Sequence, residues 1–236
     1  MIRKTIAFTL AETLIVMGII GVVSALTLPN LNSSTGEKEK VAKVKKIYQN
    51  LDDALGRAQA VYGPFDEWKL NDSNTTSQIT RIGERITEFM KVSKNCGTAV
   101  NKGCISNKNI LYLAVSESDS FNDADSSIYK IILSDGTSVI FYLSSGIIID
   151  IDGPNKGTNT YGKDIFKFRV AENNNIIPMK PDSFSEYFSQ SEGFLNSGEY
   201  ASGWVIDYDN MDYLKLNSGG KCPNGTTPTE QNPKCK

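Results

Sequence analysis

The chain predicts an α+β fold. A long N-terminal helix, half suited to a membrane and half amphipathic, packs on an antiparallel β-sheet, and a disulfide ties down a C-terminal loop. Three observations carry this reading. An apolar run from Phe8 to Leu28 is followed by apolar residues at three- and four-residue steps up to Tyr62. Strand-like runs punctuated by Asp-Gly and Ser-Gly fill the middle of the chain. Four cysteines fall in two close pairs, Cys96 with Cys104 and Cys222 with Cys235.

The first element opens on "AFTLAETLIVMGIIG" (7–21), preceded by the basic residues Arg3 and Lys4 and no acid. Phe8 to Leu28 is 21 residues whose only ionisable side chain is Glu12. As a helix it spans ~31 Å, about the thickness of a bilayer's hydrocarbon core. A charged side chain in hydrocarbon costs roughly 2.5–3.5 kcal/mol unless it is paired or reaches the interface. A plain anchor does not account for that acid. Neither does a secretory signal, although "VVSAL" offers a small-residue cleavage site at Ala25.

Past Pro29 the stretch "LNSSTGEKEK" is polar and breaks the pattern. Val41, Val44, Ile47, Leu51, Leu55, Ala58 and Tyr62 then mark one face of a second helical half, with Lys38, Lys40, Lys43, Lys45 and Lys46 elsewhere on it. The lysines read as a solvated face that meets lipid head groups near a membrane exit. Gly63-Pro64 ends the helix. A short helix is expected over Ile79–Val92, with Ile82, Ile86, Phe89 and Met90 inward. Strands are expected over 110–115, 128–133, 138–143 and 147–151, and a further hairpin over 164–170 and 176–179. The tail "KCPNGTTPTEQNPKCK" is too polar to hold itself without a Cys222–Cys235 bridge.

Composition narrows the chemistry. The chain of 236 residues has no histidine, a formal net charge of −2 and 39% apolar residues. Absent histidine excludes Ser–His and Cys–His nucleophile pairs and every histidine-containing metal site. The charge gives no direct indication of nucleic-acid binding. The cysteine spacings do not match the C-x₂₋₄-C of zinc sites. Cys96–Cys104 and Cys222–Cys235 bridges fit better and place the domain in an exported, oxidising compartment. No cofactor other than the calcium considered below is implied, and nothing in the chain reads as an enzyme.

The motif "FTLAE" (8–12), after a short basic leader, resembles the N-terminus of type IV pilins and type II secretion pseudopilins. The resemblance covers about the first thirty residues. It implies a prepilin leader over 1–7, cleavage between Ala7 and Phe8 by a prepilin peptidase, and N-methylation of Phe8. It further implies a transmembrane and filament-core helix over 8–28, a helix kink at Pro29, an amphipathic continuation over 29–63 and a globular exported domain over 64–236. Ala7 departs from the Gly that the family nearly always has there. Glu12 falls fifth in the mature chain, where it would neutralise the terminal amine of a neighbouring subunit, so that two costly groups become one buried pair.

A structural filament subunit is therefore expected. Its partners would be other pilin or pseudopilin subunits, the prepilin peptidase, an inner-membrane assembly platform and, before assembly, the membrane itself. The alternative is a membrane-anchored exported binding module or enzyme that does not polymerise.

One loop has ligand chemistry. "DIDGPNKGTNTYGKD" places Asp150, Asp152, Asn155, Asn159 and Asp164 around glycines. Calcium takes six to eight oxygens from such turns, though the spacing is not that of an EF-hand. Resemblance to the major pseudopilins, which bind calcium in an acidic loop, points the same way without mapping individual residues. The same residue types are also ordinary turn formers. A second acidic stretch, 117–127, reads as solvated.

Overall fold

The computed structural model describes residues 10–69, 74–113, 118–144, 146–188, 197–217 and 219–235, and within residues 24–35 the backbone only. Two compact units divide it, Met1–Glu39 and Lys40–Lys236.

Helix α1 (Leu10–Tyr62) runs through Pro29 and through the polar stretch that the sequence reads as a break. One proline removes a single backbone donor. Ser33, Ser34 and Gly36 lower helix propensity by less than about 1 kcal/mol each. Gly63, at φ +81°, ends the helix with a left-handed residue, as the Gly63-Pro64 pair predicts.

In the second unit, α1 buries Val41, Val44, Ile47, Leu51, Ala54, Leu55 and Ala58. This is the expected stripe with Ala54 added and Tyr62 removed. Tyr62 sits in the last turn, exposed, and donates its hydroxyl to Glu88 Oε2 at 2.6 Å. Helix α2 (Thr75–Thr87) begins where Asn74 caps the Ser77 N–H at 3.1 Å. It ends five residues earlier than expected because Val92 already belongs to a strand. Ile79, Ile82 and Ile86 are buried, while Phe89 and Met90 are only partly so.

These helices pack on a six-stranded antiparallel sheet formed by β1 (Val92–Gly97), β4 (Ile128–Leu133), β5 (Ser138–Tyr142), β6 (Gly146–Asp150), β7 (Ile165–Val170) and β8 (Ile176–Pro178), paired in that order. Strands β2 (Ile110–Leu111) and β3 (Ser118–Asp119) form a separate pair. The period of two sorts the sheet into faces. Tyr129, Ile131, Val139, Phe141, Ile147, Ile149, Phe166 and Phe168 share the main core with the helices. Ile128, Ile140, Ile148 and Ile165 face the other way, into a smaller core with Ile110 and Tyr161. With both faces covered, "IYKIIL" reads as a continuous apolar run rather than an alternation.

Helix α3 (Ala201–Tyr208) closes the β8 end. Its Ser202 Oγ accepts the Met179 N–H at 3.0 Å, and Trp204 stands among Phe184, Tyr187, Tyr208 and Tyr213. Both expected disulfides, Cys96–Cys104 and Cys222–Cys235, are formed. The second holds the polar tail, and the Cys235 N–H donates to Asp212 Oδ2 at 2.8 Å.

Candidate functional site

In the first unit the described side chains from Leu10 to Val23 are exposed. Leu14, Ile15, Val16 and Met17 are consecutive, and at 100° per residue four consecutive positions point in every direction around a helix. Each is more than half exposed, as are Leu10, Ile19, Ile20, Val22 and Val23. A helix apolar all round is normally surrounded by apolar material. Glu12 stands in its first turn. Ala7 and Phe8, the expected cleavage and methylation residues, lie outside the described residues, as does the side chain of Pro29.

No helix among the described residues is long and apolar enough to cross a membrane. Leu10–Val23 has a rise of only about 21 Å, and the expected run, Phe8 to Leu28, extends past it at both ends.

In the second unit, the loop after β6 folds around the Asp164 carboxylate. Asp164 Oδ2 accepts the N–H of Thr158 at 2.6 Å and of Asn159 at 3.0 Å, and Oδ1 accepts that of Thr160. Gly157, at φ +69°, permits this close approach, since a methyl there would lie 2.4 Å from Asp164 Oδ2. Asp152 lies 3.6 Å from the Lys40 ammonium. Lys40 also donates to the Lys163 carbonyl at 3.0 Å, and Lys43 donates to the Ile151 carbonyl. Two of the lysines expected to be solvated therefore fasten the acidic loop to α1.

Asp150 is buried. Its Oδ1 accepts the N–H of Gly153 at 3.0 Å and of Asp152 at 3.2 Å, and its Oδ2 has no hydrogen-bond partner. Burial, followed by repulsion from Asp164, pushes its carboxyl up to about 7. Asn159 donates from Nδ2 to Ser106 Oγ at 2.7 Å and leaves Oδ1 without a partner. Asn155 is exposed. Asp150 Oδ2 and Asn159 Oδ1 are the buried acceptors of this loop left without a partner, whereas the Asp164 carboxylate is taken up by N–H groups. Among the described residues no three acidic or cysteine side chains gather as a metal-holding group.

Sequence reasoning missed a cleft of about 400 Å³ on the sheet face opposite α1. Phe121, Tyr142, Ile148, Tyr161, Lys167 and Arg169 contribute to its walls. The available signal was the alternation in "IFKFRV", which sets Lys167 and Arg169 on one face of a strand whose other face is phenylalanine. In the described part of the second acidic stretch, 118–127, every residue is exposed or half-buried, and two of its carboxylates are held locally. Asp123 pairs with the buried Lys130, and the Asp125 carboxylate accepts the Ser127 N–H and hydroxyl, which hold it below the usual range.

No family model, curated protein or solved structure matches this chain.

Proposed function

We propose that this protein is a structural subunit of a type IV pilus-like or type II secretion pseudopilus filament, made as a precursor and cleaved between Ala7 and Phe8. The observation that carries the reading is the sequence "FTLAE" (8–12), whose last three residues open a helix with exposed side chains from Leu10 to Val23 that are apolar apart from Glu12, Thr13 and the glycines. A lone folded domain gains nothing from that surface, because apolar area in water costs about 25 cal/mol per Å². Membrane before assembly, and neighbouring helices after it, would remove the cost.

Two further features support the reading. An amphipathic helical half on an antiparallel sheet, with the tail tied by a disulfide, is the layout that the resemblance implies. Both cysteine pairs are bridged, which suits an exported domain. In this reading the protein is a single-pass inner-membrane protein with its globular domain exported, and then part of an extracytoplasmic filament.

Intact-mass analysis of the protein from its native membrane tests the reading. The expected species starts at N-methylated Phe8. A chain beginning just after Ala25 or Leu26 would instead mark a secretory signal and end the filament reading.

A further inference from the structure

The cleft on the outer sheet face is built from residues that the filament reading does not use. Its floor and walls are mostly apolar, with Ile148 below and the rings of Phe121, Tyr142 and Tyr161 around it, and Asp119 is the one acid against the two cations of its lining. A volume of about 400 Å³ lies within the usual range for small-molecule sites.

The two cations of β7 that line it differ. Lys167 is already neutralised: it pairs with Glu199, and its ammonium lies 4.5 Å from the centre of the Tyr161 ring. Arg169 is exposed and has neither an ion pair nor a hydrogen bond among the described residues. A guanidinium beside an apolar cleft is suited to a carboxylate, which it takes through two parallel N–H groups.

Directly across the strand pair from Arg169 stands Gly146. The fold does not demand a glycine there. Its φ is not in the left-handed region, and a methyl would meet only Tyr142 Cβ at 3.7 Å and Ser144 Oγ at 3.9 Å, which are ordinary contacts. Gly146 is the first residue of β6, and a bare position there, where a methyl would fit, leaves the cleft open next to the free guanidinium. Burial pushes the Tyr142 phenol up to about 12, so it stays a neutral donor at the rim.

We propose that this cleft binds a small molecule or chain end with an apolar or aromatic body and one carboxylate, the carboxylate on Arg169 and the body between Tyr142 and Tyr161. The site is independent of the filament reading and stands or falls separately.

The test uses the full-length chain with two probes, N-acetyl-L-phenylalanine and its neutral amide, titrated calorimetrically. Wild type is expected to prefer the carboxylate by about tenfold or more, the usual advantage of a charge-assisted pair. Arg169→Gln should bind both probes equally, at the amide's affinity. Gly146→Val should weaken both by filling the cleft. A hexapeptide ending in a free Phe carboxylate separates the sources: binding as tight as the single residue assigns a chain end, and weaker binding assigns a small free acid. No binding of either probe, or a carboxylate preference that survives Arg169→Gln, would overturn the proposal. Arg169 is exposed, so that variant keeps its fold even if Gly146→Val does not. Unfolding midpoints check both.

Discussion

Asp150 shows how much one buried oxygen governs. Its folded-state carboxyl lies near 7, well above the unfolded value, so the native state holds a proton that the unfolded chain releases near pH 4. The stability that this group contributes is full below pH ~4, falls as pH rises towards ~7, and is level above that. Asp150→Asn keeps the neutral shape and the acceptor used by Asp152 and Gly153. It is expected to stabilise the protein at pH 8 by up to about 4 kcal/mol and to flatten the decline between pH 5 and 8. Urea unfolding at both pH values checks this, and an unchanged slope in the variant would assign the decline to other groups. Gly83 makes a second case, since a methyl there would fall 2.2 Å from the Tyr129 ring. Gly83→Ala should therefore cost about 1–3 kcal/mol, read as a lower unfolding midpoint at constant m-value. Neither residue's environment was legible in the sequence. "DIDG" announces a turn, but whether its first carboxylate ends up buried depends on the helix and strands packed over it.

At the scale of elements, legibility followed the strength of the period. The α1 stripe from Val41 to Ala58 stands where the spacing puts it, and the strands expected over 128–133, 138–143 and 164–170 are found to within one residue, because burial on a fixed face leaves a repeating signal. Strand β1, "VSKNCG", escaped notice because only Cys96 is buried and its register against β4 slips at two points. Helix α3 escaped because its first five residues, Ala201–Val205, are all buried, which leaves no amphipathic pattern to read. The tail was legible only through its cysteines. Cys222–Cys235 closes a loop of 13 residues' separation, and losing it should cost ~3 kcal/mol, felt mostly by the tail. In a Cys222→Ser/Cys235→Ser variant, limited proteolysis is expected to clip the chain after Leu216 first, leaving the six-stranded sheet resistant. Simultaneous digestion of sheet and tail would show that the tail belongs to the cooperative core.

For the whole molecule, the apolar N-terminal helix and the folded unit behind it obey different solvents, and Glu12 is where that difference becomes a prediction. The second unit, Lys40–Lys236, satisfies itself, with a core enclosed by helices on one sheet face and the β2–β3 region on the other. The helix from Leu10 to Val23 does not, because its apolar residues face outward on all sides. If that surface is covered by membrane and then by neighbouring subunits, Glu12→Ala should leave insertion intact, since removing a charge makes the segment more apolar. It should equally leave the unit from Lys40 onward intact, because Glu12 belongs to the other compact unit. Polymerisation is what should fail. An assembled subunit would then carry a buried terminal amine with no carboxylate to neutralise it, a penalty of ~3–5 kcal/mol for a broken buried pair. Each kcal/mol is roughly a fivefold loss in an equilibrium, so filaments should fall by at least a hundredfold relative to membrane-bound protein. Glu12→Asp, which retains the charge on a shorter arm, should recover part of the yield, whereas Glu12→Gln should not. Sheared-filament yield against total membrane protein measures all three, and equal yield from Glu12→Ala would leave the carboxylate without an assembly role.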